Sequence, residues 1–359
     1  MKNSINNILI IIYRNIGDVL LSTILLENLK HYFPNSKIDY AINKECKDGI
    51  KNNPFINKIY AYDRKKIKPL PFLKRFQEEI KYIKQIIKNN YDLIFNLTEG
   101  DRGTFISLLS SAKIKIGVES RNILFKVFKP YNYFINDKIS QHTAIKYLSF
   151  LNAMNLKPVK FNINFFFDDK SNKKIENLLK NKNITNFIVV HPVSRWMFKS
   201  WESEKFAKTI DYIQRNMNLK VIITGSPSKK ELKKCNDIVS LCKTSPLNLA
   251  GKLTLIELGA LISKAKFYFG VDTAPMHMAA ALNIPVIALM GGSNVKIWGP
   301  WNNGKILTYE FIDGVQKKGI HTVISRTNHT IFYENGIKKS KGMSDITTKE
   351  VIEILKELK

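Results

Sequence analysis

Short runs rich in Ile, Val and Phe recur along this chain, each followed by a longer amphipathic stretch, and that alternation limits the fold more than any other feature. Strands that read as continuous apolar runs are buried on both faces, which calls for a parallel sheet covered by helices. In the first half the pattern predicts strands near residues 8–13, 37–42, 59–62, 92–97 and 115–118, with the clearest helix over 19–32. A second series predicts strands near 187–190, 220–224, 267–269 and 286–290, with helices over 202–216, 229–241, 255–264 and 276–282. The fold class is therefore α/β, and the pattern occurs twice.

A chain of 359 residues exceeds what one hydrophobic core usually organises, so two domains are expected, residues 1–165 and 166–345, with a last helix in 346–359. The polar, lysine-rich connection at about 162–184 is where few contacts should cross, and the hinge is expected there. Residues 314–344 look loop-rich, with weak strand signals.

No apolar run is long enough to span a bilayer. The N-terminal run ends at Arg14 with no small-residue cleavage site after it, so it reads as a first strand and the protein as cytoplasmic. Cys46, Cys235 and Cys242 make neither a disulfide framework nor a metal-type spacing, and no metal site is expected. The formal charge of +27 raises the question of nucleic acid. It divides almost evenly between the halves, with no aromatic-interleaved basic motif or zinc finger, so no nucleic-acid partner is expected. One local cluster, Arg64, Lys65, Lys66, Lys68, Lys74, Arg75, Lys81 and Lys84 interleaved with Leu70, Phe72, Leu73 and Phe76, suits either a solvated helix face or contact with anionic lipid.

Doubly wound sheets bind ligands beyond the carboxyl ends of their strands, and four such places here carry chemistry. After the first strand comes Ile16-Gly17-Asp18, where Gly17 permits a tight turn. Asp18 sits where it can cap a helix or take a proton from a bound hydroxyl. After the strand near 187–190 come His191, Pro192 and Ser194, then Lys199 and Trp201. Lys199 beside a helix start suits diphosphate oxygens, although a lone loop lysine is usually solvated. Gly225-Ser226 forms a small-residue turn where a backbone can approach a nucleotide. The strongest segment is Gly270-Val271-Asp272-Thr273-Ala274-Pro275-Met276-His277, in which Pro275 opens a helix while Asp272 and Thr273 present oxygens. His277 reads equally well as an internally satisfied core histidine.

Taken in order and spacing, Ile16-Gly17-Asp18, His191-Pro192 with Lys199 and Trp201, Asp272 to His277, Gly291-Gly292-Ser293 and Trp298-Gly299-Pro300-Trp301 resemble glycosyltransferase family 9, the ADP-heptose:lipopolysaccharide heptosyltransferases, along nearly the whole chain. Asn96 to Gly103 and Lys338 to Met343 resemble its heptosyltransferase III branch. The resemblance implies a GT-B architecture, two Rossmann-like domains facing across a cleft. The N-terminal domain would bind the acceptor, the C-terminal domain the nucleotide sugar, and the last helix would pack back toward the first domain. It further implies Asp18 as general base and Lys199 as diphosphate ligand. The donor would meet Ser194, Gly225, Ser226, Asp272, Thr273, Ala274, Met276 and His277, with Glu257 facing the ribose, and the acceptor Gly17, Glu99, Asp101 and Arg102. Ala274 stands where glycine is commoner in the family, which requires a negative φ at that position.

The implied activity is inverting transfer of heptose from ADP-heptose to a heptose of the lipopolysaccharide inner core, without cofactor or essential metal, on the cytoplasmic surface of the inner membrane. Two other readings remain open at this point: transfer of a different nucleotide sugar to another surface glycan, and a noncatalytic nucleotide-binding protein.

Overall fold

The computed structural model describes residues 5–118, 128–135, 140–334 and 336–358. Two compact units divide it, Met1–Asn164 and Phe165–Lys359, one residue from the expected boundary.

The first unit runs β1 (Asn7–Ile12), α1 (Ile16–Leu21), α2 (Ile24–Tyr32), β2 (Lys37–Asn43), β3 (Lys58–Tyr62), α3 (Arg64–Ile67), α4 (Phe72–Ile87), β4 (Leu93–Asn96), α5 (Asp101–Leu109), β5 (Ile114–Val118), β6 (Tyr133–Ile135) and α6 (Thr143–Asn152). Its sheet is parallel, ordered β3-β2-β1-β4-β5-β6. Strand order reverses between β1 and β4, so ligand chemistry is expected beyond their carboxyl ends. All five predicted strands form. The single helix expected over 19–32 is instead two, because Ser22 and Thr23 each donate a hydroxyl to a carbonyl one turn back, Val19 and Leu20, both at 2.7 Å. Such local bonds compete with the helical ladder.

The second unit runs α7 (Asp169–Asn181), β7 (Phe187–His191), α8 (Ser203–Asn216), β8 (Lys220–Ile223), α9 (Lys229–Leu241), β9 (Leu247–Asn248), α10 (Leu255–Ile262), β10 (Tyr268–Val271), α11 (Ala274–Ala281), β11 (Val286–Met290), α12 (Val295–Trp298), β12 (Gly314–Lys318), β13 (His321–Ser325), the hairpin β14 (Ile331–Glu334) and β15 (Ile337–Ser340), α13 (Lys341–Asp345) and α14 (Thr348–Lys356). The sheet order is β12-β13-β11-β10-β7-β8-β9, parallel except for the β12–β13 hairpin. The reversal here lies between β7 and β10, which puts the Lys199 and Asp272 loops side by side.

Two expectations for this unit need correction. Most of the polar connection at 162–184 is helix α7: Asp168 caps it by accepting from Ser171 N–H at 2.8 Å, and Ile175 and Leu179 bury its narrow apolar face. The stretch 314–344 carries four strands rather than loops. Helix α14 packs on α8, and its Val351, Ile354 and Leu355 belong to this unit's own core.

Candidate active site

In the first unit Asp18 lies in the first turn of α1, three residues after the N-cap Asn15, which makes no side-chain cap bond. Asp18 is therefore not the N-cap, but as the third residue of α1 its carboxylate takes a backbone N–H bond from Asn15, so a role at the helix start stands beside the catalytic one. Its carboxylate is 7% exposed and meets one cation, Arg14, at 3.4 Å. Burial lifts its pKa above the ordinary carboxylate value, and Arg14 pulls the other way. Arg14 is held in turn through its carbonyl, which accepts from Asn43 Nδ2 at 3.1 Å. A buried carboxylate with a raised pKa at a strand's carboxyl end is suited to accepting a proton from a substrate hydroxyl.

The proposed acceptor residues after β4 divide. Glu99 is half-buried, and Asp101 is exposed at the start of α5. Arg102 is committed internally: Nε and Nη2 donate to the two oxygens of Glu79 at 3.0 and 2.8 Å, and the guanidinium lies 3.5 Å from the Tyr62 ring centroid. That bidentate pair braces α5 against α4.

In the second unit Lys199 ends a 3-10 turn, Met197–Lys199, and its Nζ donates to Asp272 Oδ2 at 2.6 Å. The other oxygen of Asp272 lies 3.9 Å from His277 Nε2. His277 is buried, its Nδ1 has no hydrogen-bond partner among the described residues, and burial holds the ring down at about 4, so it is neutral at pH 7. Pro275 opens α11 as expected and carries no N–H, and the Met276 and His277 N–H groups donate to Thr273 C=O at 3.1 and 3.4 Å, so with no side-chain cap bond from Thr273 the Ala274 N–H is the first-turn amide left to a ligand. Ala274 avoids positive φ, so the departure from glycine costs no strain. The Lys199–Asp272 ion pair and the neutral His277 thus form one polar cluster beside a helix start.

The remaining expectations fare unevenly. Ser194 is buried, and its Oγ accepts from Trp196 N–H at 3.2 Å, which shapes the loop leading to Lys199. Gly225 follows β8, and Ser226 N–H is taken by Glu231 at 2.8 Å, a carboxylate the sequence reading passed over. Met276 is fully buried and packs in the core, so a donor contact through its side chain is not available. Glu257 completes a capping box with Thr254 at the start of α10 and accepts from Lys174 at 2.6 Å, so its carboxylate is already engaged. Trp201 is buried and donates to Ile346 C=O at 3.0 Å, a packing role. Gly292 was noted only as part of a glycine pair. A Cβ there would lie 3.2 Å from Lys199 Cγ, and no spacing signal marks that proximity.

Among the described residues no group of three or more His, Cys, Asp or Glu is arranged to hold a metal ion. Nor is any described helix long and apolar enough to cross a membrane.

Two doubly wound units in one chain, each with its polar groups gathered at the carboxyl ends of the strands, define the GT-B class of fold. Residues 80–317 match the model of glycosyltransferase family 9 (heptosyltransferase). The chain is 32% identical over 292 residues to lipopolysaccharide heptosyltransferase 3 of Escherichia coli, covering 81% of this chain and 85% of that one. It is 25% identical over 347 residues to the lipopolysaccharide core heptosyltransferase OpsX of Haemophilus influenzae, covering 96% and 94%. A family 9 glycosyltransferase from Veillonella parvula superposes with a TM-score of 0.80 at 21% identity, over 100% of this chain and 98% of that chain. E. coli heptosyltransferase WaaC with ADP gives 0.73 at 15% identity, over 98% and 99%. These two likenesses bear on the fold. The chain belongs to glycosyltransferase family 9.

Proposed function

We propose that this enzyme moves heptose from ADP-heptose to a heptose of the lipopolysaccharide inner core by inverting, single-displacement transfer. The observation that supports this most is the Lys199 ammonium, fixed by Asp272 at the strand ends beside the start of α11. Such a pocket suits a departing diphosphate, because a preorganised cation and the positive end of a helix stabilise charge that develops as the sugar leaves. Asp18, buried and less acidic than an ordinary aspartate, serves as the base toward the acceptor hydroxyl. In this reading Lys199 does the work of a divalent ion, and EDTA leaves the rate unchanged.

Membrane attachment is part of the same proposal. Phe72 and Leu73, 69% and 72% exposed, open α4 among Arg64, Lys65, Lys66, Lys68, Lys74 and Arg75. An apolar tip in a ring of cations suits an anionic bilayer surface, and sedimentation with anionic vesicles should fall as salt rises. The donor is tested by calorimetric titration of the protein with ADP-heptose and with UDP-sugars. Binding of a UDP-sugar in preference to ADP-heptose would replace the donor named here. The acceptor is tested by mass spectrometry of core oligosaccharide from a strain lacking the protein, which should be short by one heptose.

A further inference from the structure

The loop that delivers Lys199 carries an exposed indole that the donor chemistry does not use. Trp196 is 55% exposed, although a tryptophan side chain is ordinarily among the most buried. Its loop is nonetheless held: the Trp196 backbone N–H donates to the buried Ser194 hydroxyl, and three residues on, Lys199 is tied to Asp272. The Phe198 ring stands 6.2 Å from the indole. Two cations flank this aromatic pair, Arg195 at 5.9 Å from the Trp196 ring and Lys338 of β15 at 5.3 Å from Phe198. The strand carrying Lys338 is fixed in turn, because Ser340 Oγ donates to Gly291 C=O at 2.7 Å and Gly291 N–H meets Met343 Sδ at 3.2 Å.

We infer that Arg195, Trp196, Phe198 and Lys338 form a subsite for an anionic sugar residue of the acceptor glycan, a reading that rests on the transferase function proposed above. An exposed indole face stacks on the apolar C–H face of a pyranose, and cations on both sides meet a phosphate or carboxylate carried on that ring. Both aromatic rings belong to the segment that ends at Lys199, so a sugar seated on them lies beside the diphosphate pocket. A neutral glycan would leave the two cations without a partner, which is why the occupant is assigned a negative charge.

The test uses purified full-length protein, acceptor lipopolysaccharide from a strain lacking this protein, and the same acceptor dephosphorylated with hydrogen fluoride. Trp196→Ala should raise the acceptor KM about tenfold with ADP affinity unchanged, and Trp196→Phe should recover most of that loss. Arg195→Gln with Lys338→Gln should raise the acceptor KM by a similar factor and flatten its salt dependence. If that effect vanishes on dephosphorylated acceptor, the bound anion is phosphate; if it persists, the anion is a sugar carboxylate, and either result supports the subsite. An unchanged acceptor KM in both variants, or weakened ADP binding in Trp196→Ala, would overturn it. Absence of transfer by the wild-type protein would instead remove the underlying function.

Discussion

Lys199 Nζ and Asp272 Oδ2 meet at 2.6 Å across the two loops at the switch point of the second sheet. Both side chains are largely buried, so the pair is more than a surface ion contact, and the ammonium is aimed before any diphosphate arrives. Two opposite expectations follow for Asp272→Asn. If Asp272 only repelled the incoming anion, the variant would bind ADP more tightly. If it positions Lys199, ADP binding weakens. The geometry favours positioning, and titration calorimetry should show ADP affinity reduced by about ten- to a hundredfold, in line with the ~1.5–3 kcal/mol typical of a hydrogen bond to a charged group.

Removing the cation itself is the sharper intervention. Lys199→Ala should lower kcat/KM by about a hundredfold, corresponding to roughly 3 kcal/mol of leaving-group stabilisation. Steady-state kinetics at saturating acceptor would show it, and a loss below about threefold would mean that another group receives the charge.

Asp18 links activity and stability to pH in opposite senses. As the base proposed above, Asp18 acts as the ionised carboxylate, so the acid limb of kcat/KM should lie above the ordinary aspartate value of 3.8, because burial raises the pKa. Arg14 lowers that pKa, so Arg14→Gln should move the limb to higher pH. For stability, a folded-state pKa above the unfolded one gives a contribution that is present below the unfolded value and lost as pH rises through the folded value. At pH 7 the buried charge therefore costs stability. Asp18→Asn should raise Tm at pH 7 while nearly abolishing turnover, whereas loss of both would make Asp18 a structural residue.

The sequence made the sheets legible and the site only half so. Apolar runs such as the one in β1 mark parallel strands because both faces are covered, and every predicted strand forms. Helix α7 was hidden because lysines outnumber the two residues, Ile175 and Leu179, that it buries. The strands after residue 314 are harder to read because β12 is an edge strand without an apolar run, and the β14–β15 hairpin pairs a three-residue apolar run with a lysine-rich strand and leaves most of its residues exposed. Motif spacing located Asp18, Lys199 and Asp272, but their partners come from pairing across the fold. The Arg14–Asp18 contact is local in sequence, whereas Glu79 on Arg102 spans 23 residues and Lys199 on Asp272 spans 73, distances that periodicity does not encode. Met276 reads as part of a ligand-binding segment and is fully buried, since α11 is enclosed along most of its length.

Gly292 tests whether placement of Lys199, rather than its charge alone, matters. A Cβ at this position would lie 3.2 Å from Lys199 Cγ and 3.3 Å from its Cα, so alanine must push the 3-10 turn by a few tenths of an ångström. Misplacing a stabilising cation by a small distance costs rate far more than fold. Gly292→Ala should lower kcat/KM by about tenfold with Tm within a few degrees of wild type. A fall in Tm without a fall in rate would assign Gly292 to packing instead.

Trp201 separates the family's motif from its chemistry. It lies two residues beyond Lys199, yet its indole is buried against Phe206 and Phe269, and its Nε1–H donates to Ile346 C=O at 3.0 Å, just ahead of α14. Lys205 adds a second bond to the same carbonyl at 3.0 Å and one to Ser344 C=O at 2.6 Å. The residue therefore pins the C-terminal segment to the second unit's core. Trp201→Phe keeps most of the apolar volume and leaves Ile346 C=O its bond from Lys205, so it should cost about 1 kcal/mol and spare ADP binding. Trp201→Ala opens a cavity under α14 and should cost roughly 3–5 kcal/mol, with α14 becoming the first segment to exchange its amide protons. Hydrogen exchange followed by mass spectrometry reads this directly, and protection of α14 unchanged in Trp201→Ala would show that the helix is held by its own contacts with α8.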